Sequence, residues 1–160
     1  MNIEIRDVTA RETEEIIRLM REFAEFEDLS QYFTSDAERL RGALFGERRF
    51  VEGLVAVRGD HIIGYALAYP NYSSFRGQRG LHLEDLYVSD GERGNGAGKA
   101  LLKAIAQRAA ELGCERLDLQ VLNWNANAIT FYESLGGIQD EDERHYKFTD
   151  DAFRALAGTA

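Results

Sequence analysis

Apolar and polar positions along this chain change period repeatedly, and each change marks an element. Residues 3–8 alternate as a first strand. Residues 9–26 instead place Ile16, Leu19, Met20 and Phe23 on one stripe, the pattern of a helix with a single buried face. Ser35-x-x-Glu38 predicts a capping box, opening a short second helix that ends near Phe45-Gly46. Residues 50–57 and 61–69 have strand character and are joined by a turn at Arg58-Gly59-Asp60. Residues 81–88 predict another strand. Residues 100–112 return to helical spacing at Leu101, Leu102, Ile105, Ala109 and Leu112. A strand over 116–122 and a helix over 125–135 follow, the latter closed by Gly136 and Gly137 as a C-cap. A last strand is expected over 143–149, with Asp150 capping a short terminal helix through Phe153 and Leu156.

No linker, repeat or low-complexity segment interrupts this order, and 160 residues suit one domain over 1–160. The most apolar stretch, Ile62-Ile63-Gly64-Tyr65-Ala66-Leu67-Ala68-Tyr69, is far too short for a membrane span, so no membrane partner is expected. The N-terminus lacks the pattern of a signal peptide. A lone Cys114 excludes an internal disulfide and fits a reducing, cytoplasmic setting, with the thiol acting as a small buried hydrophobe. Twenty-eight acidic against 19 basic residues give a net charge of −9, which argues against nucleic acid as a partner and suits a cationic one.

The chemistry concentrates at Arg93-Gly94-Asn95-Gly96-Ala97-Gly98-Lys99, between the predicted strand ending at Val88 and the helix that follows. Glycines there leave backbone N–H groups bare at a helix N-terminus, where the helix dipole favours an anion. The spacing excludes a Walker A loop, because Arg93 stands where the first Gly is needed and Ala100 where Ser or Thr is needed. It also excludes the dinucleotide fingerprint G-x-G-x-x-G, since the third glycine is missing from either starting point.

What remains, Arg93-x-x-Gly96-x-Gly98, resembles the motif R/Q-x-x-G-x-G/A of the GNAT superfamily of N-acetyltransferases. Asn125-x-x-Ala128-x-x-Phe131-Tyr132-x-x-x-Gly136 matches that family's second block, in the right order. The resemblance implies an α/β GNAT fold, with a mixed, mostly antiparallel central sheet flanked by helices on both faces. It implies acetyl-CoA as cosubstrate, no metal, and a homodimer. By the same resemblance Arg93, Gly94, Asn95, Gly96, Ala97, Gly98 and Lys99 hold the pyrophosphate. Backbone groups of Leu86, Tyr87 and Val88 pair with the pantetheine arm and face the thioester carbonyl. Asn125 also contacts the coenzyme, a role compatible with capping its own helix.

For the reaction, Tyr132 matches the family's general acid, a phenol that stays protonated at neutral pH with a pKa near ~10. Its plainer role is a core tyrosine beside Phe131. Glu84 stands where the family commonly places the carboxylate that deprotonates the amine, with His82 as the fallback base and a polar strand position as the plainer reading.

Within the superfamily, Leu83-Glu84-Asp85-Leu86-Tyr87-Val88, Trp124-Asn125 and the ending Tyr146-Lys147-Phe148 resemble the diamine acetyltransferases, which act on spermidine, spermine or thialysine. That resemblance assigns Glu27 and Asp85 to the cationic substrate and puts Phe75 where the group has a loop tryptophan. Residues 71–79 depart from the pattern, needing an extra residue and carrying Arg76 and Arg79. Other acceptors in the same enzyme class are lysine-like amino acids, aminoglycoside-type drugs and protein N-termini. A coenzyme A-binding sensor and a structural domain are the readings outside it.

Overall fold

The computed structural model describes residues 2–159, which group into two compact units divided after Gln120. In the first unit, five strands lie in one sheet in chain order: β1 (Ile3–Asp7), β2 (Glu52–Arg58), β3 (His61–Ser73), β4 (Gln78–Val88) and β5 (Arg116–Leu119). The first four pair antiparallel and β4 pairs parallel with β5. A parallel neighbour requires a crossover, and α3 (Ala97–Glu111) supplies it. The β2–β3 turn closes in two residues, Gly59 and Asp60, with the positive φ of Gly59 (60°) giving the hairpin its twist.

Both faces of the sheet are covered. Val55, Val57, Tyr65, Leu67 and Tyr87 form one core with Ile16, Ile17 and Leu19 of α1 (Thr13–Phe26) and Leu40 and Leu44 of α2 (Ala37–Phe45). Leu54, Ala56, Ile63, Ala66, Leu81 and Leu83 form the other with Leu101, Ile105 and Ala109 of α3. Alternation along β2 distributes its side chains between the two cores, and β3 alternates likewise from Tyr65 to Ala68, after a register shift opposite Ala56 and Val57 that leaves Ile63 on the side of Ala66. The α/β architecture expected from the sequence is therefore the one observed.

One irregularity positions the site. Ala68 pairs with Leu83, but Leu67 pairs with Asp85, so Glu84 is an extra residue, a β-bulge. Without it Leu83, Asp85 and Tyr87 would share a face. With it Leu81 and Leu83 point to the α3 core, whereas Asp85 and Tyr87 turn to the α1 side.

The second unit, from Val121 on, contains α4 (Ala126–Ser134) and α5 (Asp150–Ala157). Residues 143–149, expected as a strand, form none. Among the described residues of this unit their alternation at Tyr146 and Phe148 has no strand to pair with, and a strand without a hydrogen-bonded neighbour does not form. Two caps also move. Asp36, not Ser35, caps α2 by accepting from the Arg39 N–H at 2.8 Å, and Thr149 rather than Asp150 stands at the N-cap of α5. α3 starts at Ala97, one turn earlier than its apolar stripe suggests, and β5 stops at Leu119.

Candidate active site

The glycine run forms a helix N-terminus with no side-chain cap. Gly96 is the N-cap of α3 at φ 83°, and Gly94 also has positive φ, 79°. An added Cβ would meet nothing within 4 Å at Gly94 or Gly96, and only Val88 Cγ2 at 3.9 Å at Gly98. Gly94 and Gly96 are thus required by backbone conformation, and all three glycines leave open space over the amides of Ala97, Gly98 and Lys99. That combination fits a diphosphate, whose oxygens need close backbone approach and the positive end of a helix dipole.

Arg93 does more than flank this loop. Its Nε donates to the Val88 carbonyl at 2.9 Å, and its guanidinium lies 4.5 Å from the ring centre of Phe26 and 5.4 Å from that of Tyr87. It thereby ties the glycine loop to the end of β4 and to the last turn of α1. Below it, Glu22 accepts from the Ser89 hydroxyl at 3.0 Å.

Beside the loop, the parallel ladder between β4 and β5 ends at the pair Leu83 and Leu119. β4 continues to Val88 beyond the last β5 pair, so over Leu86, Tyr87 and Val88 the backbone groups directed away from β3 have no β5 partner, and one of them, the Val88 carbonyl, is taken by Arg93. An extended chain carrying amide groups fits such an edge by adding hydrogen bonds to it, as a peptide does in strand addition.

Carboxylates gather at the bulge. Asp85 accepts the Tyr65 hydroxyl at 2.8 Å. Burial raises the Asp85 carboxyl to about 6, against the Tyr65 hydrogen bond that lowers it, and Glu84 and Glu27 add like-charge repulsion. Burial also raises the Glu27 carboxyl. The Tyr65 phenol is driven well up by its own burial and by Asp85. Two carboxylates so placed are relieved by a cation. His82 sits nearby, with Nδ1 2.5 Å from Asp118 Oδ1 and Nε2 3.6 Å from Glu84 Oε2.

The fold thus brings Glu27, Asp85 and Glu84 together and sets Arg93 to Lys99 beside the β4 edge. Phe75 stands apart: it is fully exposed at the tip of the β3–β4 hairpin. Six residues of β3 and Ser74 separate it from Leu67, the partner of Asp85, roughly 25 Å of extended chain. Asn125 and Tyr132 belong to the second unit. There Asn125 caps α4 by accepting from the Ala128 N–H at 3.2 Å. Tyr132 packs edge-on against Phe131, and its carbonyl accepts from the Gly137 N–H at 3.0 Å in a Schellman closure with Gly136 at φ 94°. Tyr65 and Asp118 were not singled out by sequence reading. Tyr65 is a tyrosine within the apolar run 62–68, and Asp118 an acid between two leucines, and only the register shows what either faces.

The sheet, its open edge and the glycine-capped helix define a class of acyl-transfer domain, and residues 13–137 match the family model for the Acetyltransferase (GNAT) family. The chain belongs to that family and is an acetyltransferase. It is 39% identical to a thialysine N-epsilon-acetyltransferase of Bos taurus, over 96% of each chain. It is also 39% identical over 95 residues to an L-ornithine N5-acetyltransferase of Arabidopsis thaliana, covering 59% of this chain and 42% of that one. Among solved structures, an integron cassette protein from the V. cholerae mobile metagenome superposes with a TM-score of 0.81 at 25% identity, covering 98% of each chain.

Proposed function

We propose that this protein acetylates a primary amine of a small cationic molecule, using acetyl-CoA and direct attack with both substrates bound. The observation that carries the reading is the side-by-side arrangement of the uncapped α3 N-terminus and the unpaired β4 edge, with a carboxylate cluster at the bulge between them and α1. The names of the two relatives, acting on thialysine and ornithine, support an amino-acid-like amine carrying a second positive charge. A homodimer working in the cytoplasm completes the reading.

Acetyl-CoA supplies an activated acetyl group as a thioester. The protein's share is positioning and proton handling. The amides of Ala97, Gly98 and Lys99, the Gly94–Gly96 loop and Arg93 hold the diphosphate. Backbone groups of Leu86, Tyr87 and Val88 align the pantetheine arm, and an N–H there stabilises charge growing on the carbonyl oxygen. Glu27 and Asp85 hold the cationic acceptor. Glu84 accepts a proton from the ammonium, which with a pKa near ~10.4 must lose one before it can attack. Tyr132 gives a proton to the departing sulfur, and Asn125 contacts the coenzyme while capping α4.

Thiol release from acetyl-CoA, measured across spermidine, putrescine, thialysine, lysine, ornithine, aminoglycosides and short peptides, tests this for wild type and Tyr132→Phe. Turnover with a dibasic small amine, reduced at least ten-fold in a stably folded variant, is expected. Release with peptides or aminoglycosides alone, or with no amine, would overturn the acceptor assignment.

A further inference from the structure

The register sets Tyr69, His82 and Asp118 abreast on three adjacent strands, β3, β4 and β5. Asp118 is held from several sides. Its Oδ2 accepts from Asn71 Nδ2 at 2.7 Å and lies 3.8 Å from the Arg116 guanidinium, while Oδ1 meets His82 Nδ1 at 2.5 Å. A carboxylate only accepts hydrogen bonds, so Nδ1 must carry the proton of a neutral His82. Nε2 is then the acceptor, and it faces Glu84 Oε2. The Tyr69 ring covers the imidazole at 5.1 Å between ring centres. Buried on that side, His82 has few orientations open to it, whereas the Glu84 side chain is exposed and lies 3.6 Å from Nε2, with the Tyr69 hydroxyl as its other partner.

We propose that Asp118 is a positioning residue that fixes the Nδ1–H tautomer of His82, so that His82 receives at Nε2 the proton Glu84 takes from the acceptor amine. Its substrate step rests on the acetyl-transfer reading; the tautomer does not. The balance is simple. One N–H bond of the ammonium breaks, its electron pair stays on nitrogen, and an O–H bond forms on Glu84. That bond breaks as Nε2–H forms, giving an imidazolium between two carboxylates. The imidazolium returns one proton to solvent per turnover. Glu84 and His82 are then consecutive stations of one path and not rival bases. The groups facing the imidazole are Tyr69 and Asn71 from β3, Glu84 from its own strand, and Asp118 with Arg116 from β5.

Long-range ¹H–¹⁵N NMR of the histidine rings tests the assignment in the intact protein, with His82→Gln identifying its signals among the three histidines. The expected result is an Nδ1–H tautomer in wild type and, in Asp118→Ala, where the acceptor for that proton is gone, an imidazole in which the Nε2–H form is substantially populated. Asp118→Glu should restore much of the Nδ1–H population. In kinetics, Asp118→Ala should lower kcat about ten-fold with the KM for acetyl-CoA unchanged, and Asp118→Glu should recover most of that loss. An Nε2–H tautomer in wild type, or the same tautomer populations in wild type and Asp118→Ala, would overturn the proposal. Absence of turnover with every amine would overturn acetyl transfer and the relay step with it. The NMR signature would then persist, which tells the two failures apart.

Discussion

Tyr65 donates its hydroxyl to Asp85 at 2.8 Å across the β3–β4 ladder, and this one bond opposes the burial that would otherwise keep the acid protonated. Removing the donor while keeping the ring, in Tyr65→Phe, should raise the Asp85 carboxyl above about 6. Affinity for a cationic acceptor should then develop at higher pH than in wild type, read as the pH midpoint of acceptor binding by calorimetry.

Asp85 also makes a stability prediction with a definite sign. Its folded pKa, about 6, lies above the usual 3.8, so between those values the folded state binds more protons than the unfolded one. Stability should therefore fall as pH rises through that window. Asp85→Asn should flatten the fall and be the more stable protein at pH 7, measured by urea unfolding at pH 4 and pH 7.

Glu12 has the opposite sign. Arg6 and the Thr9 N–H hold its carboxyl down at about 2, and Arg6 Nη2 lies 2.7 Å from it. Its contribution is present above pH 4.5 and is lost as pH falls towards 2. Glu12→Gln should cost about 2 kcal/mol at pH 7. The difference from wild type should vanish near pH 2; a constant difference at all pH values would mean packing and not charge is responsible.

Two glycines on the α3 loop should separate backbone strain from crowding. Gly96→Ala forces a Cβ onto φ 83° and should cost about 1 kcal/mol while weakening coenzyme A binding. Gly98→Ala meets only Val88 Cγ2 at 3.9 Å and should leave thermal stability unchanged. Equal losses in both variants would contradict this division.

Gly80 is needed for space instead. A Cβ there would sit 2.4 Å from Asn71 Oδ1 and 2.6 Å from Arg116 Cγ. Gly80→Ala should cost about 1–3 kcal/mol and disturb the Asn71–Asp118 contact. The His82 ring resonances should move with it.

Local periodicity revealed most of the elements, because β2, β3, α1 and α3 each bury a face whose period is visible in a short window. It failed where pairing decides. Tyr146 and Phe148 alternate as well as any strand residues, yet no neighbour strand exists among the described residues of their unit. The glycine loop was legible because helix N-termini need particular residue types, and Glu27, Glu84 and Asp85 followed from the resemblance. Asp118 and Tyr65 were not legible, since their partners lie on other strands and only register brings them together.

The extra residue at Glu84 acts on β4 as a frameshift acts on a reading frame. Deleting that single residue would restore perfect alternation and, by doing so, exchange inside for outside over half the strand. Either Leu81 and Leu83 would be carried to the helix α1 side, or Asp85 and Tyr87 would be driven into the apolar layer under α3. A deletion variant should thus be far more damaging than any substitution at the same position, since Glu84→Ala removes a carboxylate and keeps the frame.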